Sequence, residues 1–352
     1  MESGNKYSSL RQAGFTLVEI MVGLAIGMLA TLVIMQVMSV FESQKRVTTG
    51  TADAQTNGGI ALYNIARELQ MAGYPLMPID DSPLECTTLT FGATGIGSIS
   101  PVTITDGVAA SGVSASDTIT LRYGDTLMGG VPTTITAMGA PTANDAVVDN
   151  NFGCQLNDIA IITNGTTCAM TSVTALSAAS AIPATITLQN TAATIAGANL
   201  SCLGAWNEIV YAVNNGNLES NGVPTVVGIV NLQAQYGIST TANSNQVTQW
   251  VDATAAGFDF DAPAVADRNR IKAVRIAVVA RNPKMESIAV TSACSSLTAA
   301  APTGLCAWEG SVASPAPAID LSAGDPDWLR YRYRVFETII PLRNVIWSRD
   351  TL

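Results

Sequence analysis

One acidic residue, Glu19, has the position that most clearly indicates chemistry in this sequence. It is the one charged residue in the apolar run from Phe15 to Phe41. A carboxylate placed inside a bilayer costs about 2.5–3.5 kcal/mol on insertion scales, and such residues mark functional sites. A plain membrane anchor would explain the apolar run but not the carboxylate, so we expect Glu19 to have a function of its own.

Catalysis by the common residue sets is not expected. The chain contains no histidine, which removes the commonest general acid/base and the commonest metal ligand. Ser-His and Cys-His chemistry and His-rich zinc sites are therefore excluded. The sequence also lacks a GxSxG, an HExxH and a phosphate-binding glycine loop. We expect no enzymatic activity, no catalytic residue and no cofactor.

Three aspartates near one another are the strongest candidates for a metal site. Asp259, Asp261 and Asp267 lie in the segment GFDFDAPAVADRN, and oxygen ligands from one loop could hold calcium. Their spacing does not match an EF-hand, and the glycine needed at its turn is missing. We therefore expect a polar loop and no metal, with calcium binding as the open alternative.

The six cysteines predict disulfide bonds. All of them follow the apolar run: Cys86, Cys154, Cys168, Cys202, Cys294 and Cys306. An even number outside a membrane anchor fits an oxidising compartment, although the sequence does not determine the pairing. Proximity along the chain favours Cys154–Cys168 and Cys294–Cys306, which leaves Cys86–Cys202. The alternative is six unpaired, buried thiols.

The element that must position Glu19 is a long helix. Residues 1–14 form a short polar leader with Lys6 and Arg11, and residues 15–41 are apolar. As a helix, this apolar run would be about 40 Å long, enough to cross a bilayer. A secretory signal would have a shorter apolar core followed closely by a small-residue cleavage site, which is absent here. We expect residues 15–41 to be the transmembrane half of the helix.

The helical pattern continues over residues 42–75, the predicted periplasmic half. Gly73 and Pro75 form a stop signal, so we expect one helix from Phe15 to about Ala72, with a soft point at Gly58-Gly59. Apolar residues at spacings of three and four form a stripe, and a β-sheet is the expected cover for it. The stripe consists of Ala61, Leu62, Ile65, Ala66, Leu69 and Ala72.

Residues 76–352 are predicted to form a β-rich globular head, because short Thr, Val and Ile runs alternate with turn residues. Residues 124–205, rich in Ala, Thr, Ser and Asn, are an expected insertion. The predicted fold class is α+β, with the N-terminal transmembrane helix packed on a large antiparallel β-sheet. The strand candidates are Thr87–Phe91, Val102–Thr105, Thr118–Tyr123, Thr133–Ala137, Asp158–Thr163, Thr185–Gln189, Glu208–Val213, Val226–Tyr236, Ile271–Arg281 and Tyr331–Leu342.

Three arginines near the end of the chain form a candidate partner surface. Arg330, Arg332 and Arg334 alternate along a predicted strand and would share one face. The alternative is a solvated face that protects an edge strand. The chain as a whole is acidic, with a formal net charge of −10, which argues against nucleic acid as the main partner.

The segment around Glu19 resembles a known class of secreted subunits. GFTLVEIMVGLAIG is similar to the class III leader junction of type IV pilins and of the pseudopilins of type II secretion. Three further segments resemble PilW-type minor pilins, namely IARELQMAGY, IKAVRIAVVARNP and YRYRVFETIIPLRN. The first of them also resembles J-type pseudopilins. The resemblance covers residues 14–75 and 268–344 and is not seen over 76–267. It implies the pilin-like version of the predicted fold.

This resemblance implies a processing step and a docking step. A prepilin peptidase would cut between Gly14 and Phe15, and the new Phe15 amine would be N-methylated. The amine would lie at the positive end of the helix dipole. Glu19 of the same subunit or of a neighbouring one would compensate its charge and so direct assembly.

The resemblance also implies a function. A PilW-type minor pilin would help to prime pilus assembly and would form part of a tip complex with other minor pilins, the major pilin and a large adhesin. It would first lie in the inner membrane with a periplasmic head, and later at the pilus tip. Gln36 occupies a position where major pilins often carry proline, which favours a minor pilin or a pseudopilin. The alternatives are a J-type pseudopilin and, from another class, an anchored adhesin or DNA-uptake binding module.

Overall fold

A long helix, α1, spans Leu17–Leu69 in the computed structural model of the chain. Because no proline occurs from Phe15 to Tyr74, its 53 residues form one uninterrupted helix. Helix α1 continues through Gly58 and Gly59, and the soft point expected there stays a prediction. The structure describes residues 14–76, 86, 88–92, 98–108, 115–138, 144–164, 167–189, 197–241, 244–255, 257–258 and 265–346.

The chain divides into two compact units after Gly50. In the first unit, the apolar side chains of α1 are exposed all around the helix. Within the described residues, α1 is the one helix that is long and apolar enough to cross a membrane. Its N-terminal apolar segment agrees with the transmembrane half predicted for residues 15–41.

In the second unit, the C-terminal part of α1 buries one face. The α1 residues buried there lie four and seven residues apart, as one helix face requires, and α1 is followed by Gly73 at a positive φ of 80°, which favours glycine. Asn344 caps this end, because its Nδ2 donates to the carbonyl oxygens of Gln70, Met71 and Ala72 at 3.2–3.3 Å. The buried α1 residues are Ala54, Ala61, Ile65 and Leu69.

Strands dominate the described part of the head. They are β1 Thr88–Phe91, β2 Val102–Thr105, β3 Thr118–Tyr123, β4 Thr133–Met138, β5 Asp145–Val148, β6 Ile159–Asn164, β7 Thr167–Leu176, β8 Ala184–Leu188, β9 Asn199–Gly204, β10 Asn207–Asn214, β11 Asn217–Ser220, β12 Val223–Val227, β13 Ile229–Ile238, β14 Gln249–Val251, β15 Ile271–Arg281 and β16 Tyr333–Pro341. The short helices are α2 Val265–Arg268 and α3 Arg343–Ile346, and Trp328–Arg330 forms a 3-10 turn.

These strands form three sheets, with strand orders β1-β7-β6-β9-β4-β5-β8, β12-β11-β10-β3-β2 and β14-β13-β15-β16. All described pairings are antiparallel except β1–β7, which is parallel. The α+β fold with an apolar N-terminal helix and a β head is therefore confirmed, but several sheets replace the one expected. The predicted strand Val226–Tyr236 shows how strands come to lie in separate sheets. Gly228, at a φ of 79°, divides it into β12 and β13, which lie in different sheets.

The first sheet closes on itself. An additional pairing of β7 with β8 joins β4, β5, β6, β7, β8 and β9 into a six-stranded barrel, which lies within the range 124–205. The interior of such a small barrel is filled by side chains, here branched aliphatic residues together with alanines and one cysteine. Its core consists of Ile135, Ala146, Val148, Ala160, Ile162, Val173, Ala184, Ile186, Leu188, Ala198, Leu200 and Cys202.

The third sheet is covered on both faces. On β15, Val274, Ile276 and Val278 join the core that contains the buried face of α1. The alternate residues Ala277 and Val279 join a second cluster, formed largely by the segment between β15 and β16. Burial on both faces explains why β15 is an almost continuous apolar run.

The disulfides correct two of the three predicted pairs. The structure joins Cys294 to Cys306 as expected, but joins Cys86 to Cys168 and Cys154 to Cys202, with Cα–Cα distances of 4.8, 5.8 and 5.1 Å. Strand register explains the difference. Cys154 precedes the start of β6, where Ala160 pairs with Cys202. Cys168 instead pairs with Thr163, near the other end of β6.

Candidate functional site

The N-terminus of α1 forms a capping box around Glu19. Thr16 donates both its backbone N–H and its Oγ1 hydroxyl to Glu19 Oε2, each at 3.0 Å. In return, the Glu19 backbone N–H donates to Thr16 Oγ1 at 3.3 Å. Thr at the cap position and Glu three residues later are the residues that this motif requires. The carboxylate is therefore fixed at the positive end of the helix dipole.

Gly14 and Phe15, at the start of the described chain, make no packing contacts that would explain their residue types. A methyl group at Gly14 would meet no atom within 4 Å, so the packing described here does not require a glycine. Phe15 is 84% exposed. Contacts within the described chain therefore do not account for a small residue and an exposed aromatic at this junction.

The apolar segment of α1 also lacks a partner within its own unit. Its large side chains between Phe15 and Phe41 are all exposed, and methyl groups at Gly23 and Gly27 would meet nothing within 4 Å. Burial of such a surface needs lipid or neighbouring helices. The segment can therefore serve as a membrane anchor and as a helix-packing surface.

Two of the three arginines of the predicted partner surface, Arg330 and Arg332, lie before strand β16 and both contact Glu286. Arg330 lies in the 3-10 turn, not in the strand, and bonds to Glu286 O and Asp327 Oδ1 at 2.9 and 3.3 Å. Arg332 forms an ion pair with Glu286 at 3.0 Å. Arg334 lies in β16 and has no ion-pair partner within the described residues. Because β16 begins only at Tyr333, the three arginines do not all lie on one strand as expected, and the partner surface stays a prediction.

The predicted calcium loop lies mostly outside the described residues, which exclude Asp259 and Asp261. The remaining residue, Asp267, forms an ion pair with Arg270 at 2.6 Å. Within the described ranges, no group of three or more Cys, Asp or Glu residues is arranged to hold a metal ion.

A buried carboxylate that the sequence did not single out lies in the head. Asp117 is 1% exposed, and burial raises its pKa to about 8. The charges of Asp106 and Asp252 raise this pKa further, whereas hydrogen bonds from the backbone N–H groups of Ala234 and Gly107 lower it. Its oxygens accept these two bonds at 2.7 and 3.2 Å, so Asp117 joins β13 to the segment after β2.

One cavity of the head has a volume of about 300 Å³ and is lined mainly by loops and strand ends, including Asn215, Val230 and Tyr333. Its charged groups, Arg281 and Asp325, pair with each other at 3.0 Å.

A leader junction, a glutamate fixed at the start of an apolar helix and a disulfide-containing β head are the features that the resemblance to type IV pilins implies. Two family models match the chain. The prokaryotic N-terminal methylation motif matches residues 9–35, and type IV pilus-assembly protein W, or PilW, matches residues 203–344. No curated protein and no solved structure matches.

These matches support a PilW-type minor type IV pilin, and the resemblance seen in the sequence is confirmed. The PilW match begins at residue 203, so the resemblance extends further towards the N-terminus than the range 268–344. Both matched families describe structural pilus components. Most of the barrel, from β4 to β8, precedes the PilW match.

Proposed function

We propose that this chain primes pilus assembly and forms part of the complex at the pilus tip. The observation that carries the proposal is that one apolar N-terminal helix is followed by a very large head. The second compact unit contains three sheets, one of them a closed barrel. A filament of closely packed helices would be crowded by such a head at every position, whereas a tip has room for it.

The N-terminal residues provide the assembly route. A prepilin peptidase cuts after Gly14, the Phe15 amine is methylated, and the helix stays in the inner membrane with the head in the periplasm. Glu19 then pairs with the N-terminal amine of a neighbouring pilin, since an unpaired carboxylate in lipid is costly. The capping box supports this role because it directs the carboxylate towards the helix N-terminus.

The head supplies partner specificity. The range 124–205 is proposed as an insertion, because the barrel strands pair only with one another and with β1. Its partners are the other minor pilins, the major pilin and a large tip adhesin. The disulfides fit the oxidising compartment that such a head would occupy.

Co-purification with the other minor pilins tests the proposal. The full-length chain, extracted in detergent, should retain the other minor pilins, and deletion of its gene should strongly reduce surface pili. Loss of type II secretion with normal piliation would indicate a pseudopilus instead. Adhesion or DNA binding by the full-length chain without any other pilin would contradict the tip-complex role.

A further inference from the structure

Strand β16 is the edge of the third sheet, and its hydrogen-bonding direction is fixed by two bonds at its ends. Leu342 N donates to Lys272 O, and Asn282 N donates to Arg332 O, both at 2.9 Å. Even-numbered residues of the strand therefore bond to β15, as the antiparallel register requires. The backbone N–H and C=O groups of Tyr333, Val335, Glu337 and Ile339 point outward.

The chain covers only the residues that precede this edge. Val290 N and Thr291 N donate to Leu329 O, in the 3-10 turn, at 2.9 and 3.0 Å, and Thr291 Oγ1 donates to Tyr331 O at 2.6 Å. Beyond Tyr331, the outward backbone groups of β16 have no hydrogen-bond partner in the described part of the chain. Within the described residues, the edge of β16 itself is therefore open.

The open part of the edge has only part of the usual protection. Proteins block edge strands with charged side chains, proline, bulges or a covering loop. Over Tyr333–Ile339 the strand carries two charged residues, Arg334 and Glu337, but neither lysine nor proline, and its register with β15 is continuous. Pro341 lies only at its end, and Ile339 is 52% exposed. The edge is therefore long and regular enough to accept another strand.

We propose that the outer edge of β16 binds an extended segment of another pilus subunit, which adds a strand to the sheet. This inference rests on the proposed tip-complex function. The partner's backbone satisfies the outward groups of Val335, Glu337 and Ile339, which is the mode of β-strand addition. An apolar side chain of the partner lies beside Ile339.

The charge of Arg334 further defines the sequence of the partner's added strand. Arg330 and Arg332 are paired with Asp327 and Glu286, so Arg334 is the arginine of this group left for an acidic side chain. Arg334 lies on the same face of β16 as Phe336, two residues further along. The added strand therefore carries an Asp or Glu at the position beside Arg334.

A second copy of this chain fits the edge less well. In an antiparallel pair, residues that point outward lie opposite residues that point outward. Glu337 would then face Tyr333, Val335, Glu337 or Ile339 of the other copy, and never its Arg334. The edge thus lacks self-complementary charge, which favours a partner of different sequence.

Hydrogen exchange on the wild-type chain tests the inference without any substitution. In the isolated full-length chain in detergent, the amides of Val335, Glu337 and Ile339 should exchange fast, while those of Phe336 and Thr338 are protected by β15. In the co-purified complex with the other minor pilins, the three outward amides should exchange at least about tenfold more slowly. If the complex forms and these amides stay fast, the inference is overturned while the proposed function stands.

A matched pair of variants gives a second test. Glu337→Pro removes an outward N–H that has no bond within the chain, at a site equivalent to that of Pro341. Glu337→Ala removes the same side chain, including its ion pair with Arg275, but keeps the N–H. Loss of one hydrogen bond and steric conflict with the added strand should weaken binding about tenfold for the proline variant only.

Protection of the Phe336 and Thr338 amides in the proline variant verifies that β16 remains folded. Equal binding by Glu337→Pro and Glu337→Ala, with β16 intact, would contradict strand addition. Absence of any complex with the wild-type chain would instead contradict the tip-complex function itself.

Discussion

Gly58 on α1 lies directly under the ring of Phe336 on β16. A methyl group at Gly58 would overlap the ring carbons Cδ2 and Cε2, whereas one at Gly59 would meet nothing within 4 Å. The helix therefore approaches the third sheet as closely as its backbone allows. Gly58 is therefore a point of close packing between α1 and the third sheet.

Alanine substitution should have different effects on stability at the two adjacent glycines, Gly58 and Gly59. Gly58→Ala should lower the free energy of unfolding by about 1–3 kcal/mol, because the Phe336 ring must move. Gly59→Ala should leave it unchanged or raise it by up to about 1 kcal/mol, since alanine favours a helix. Thermal unfolding of the full-length chain in detergent measures both.

A double-mutant cycle isolates the contact. Phe336→Ala should be destabilising alone, but Gly58→Ala should then add little, because the ring it would meet is gone. Similar destabilisation by Gly58→Ala and Gly59→Ala would show that the contact with Phe336 does not determine the effect.

Features with a simple local pattern could be predicted from the sequence. The apolar run without proline indicated one long helix, and the stripe at Ala61, Ile65 and Leu69 indicated its buried face. The strand Ile271–Arg281 was predicted with the bounds that β15 has, because a strand buried on both faces is a continuous run of apolar residues. Regular periodicity and composition were sufficient for these elements.

Features that depend on register could not be predicted. Strand β7, with the sequence TCAMTSVTAL, lacks a β-branched run and was missed. Closure of the barrel by β7 and β8, the pairing of Cys154 with Cys202 and the cap from Asn344 all depend on which strands become neighbours. The segment that ends at Asn344 resembles the C-terminal segment of PilW-type pilins. This resemblance drew attention to Asn344 but did not indicate its contact with the end of α1.

The disulfide pattern gives a prediction that peptide chemistry can check. Peptide mapping of the unreduced protein should yield fragments that join Cys86 to Cys168 and Cys154 to Cys202. Alanine at both Cys154 and Cys202 should lower the free energy of unfolding by about 2–5 kcal/mol. Recovery of a Cys154–Cys168 fragment would contradict the barrel register.

The raised pKa of Asp117 predicts that the stability of the head falls as the pH rises. Its pKa in the folded state, about 8, lies above the ordinary value for an aspartate, so the folded state binds the proton more tightly than the unfolded state. The stabilisation is complete below the pKa of the unfolded state and is lost as the pH rises through about 8. Melting temperatures should therefore decrease between pH 5 and pH 8.

A neighbouring carboxylate provides the control for this pH dependence. Asp106→Asn removes a negative charge that raises the pKa of Asp117, so the decrease should become smaller. Asp117→Asn should remove this component entirely, although it also disturbs two backbone hydrogen bonds. Identical pH profiles for the wild type and both variants would exclude Asp117 as the titrating group.

Substitution can separate two roles of Glu19, capping the helix and providing a negative charge. Glutamine can also serve in the capping box but carries no charge. If Glu19 acts by pairing with the amine of a neighbouring pilin, Glu19→Gln and Glu19→Ala should both be cleaved normally yet assemble poorly. Thr16→Ala removes the cap but keeps the carboxylate, so it should assemble nearly as the wild type does. Immunoblots for leader removal and counts of surface pili measure these effects. Assembly by Glu19→Gln at the wild-type level, with loss in Thr16→Ala, would show that Glu19 acts by capping the helix and not through its charge.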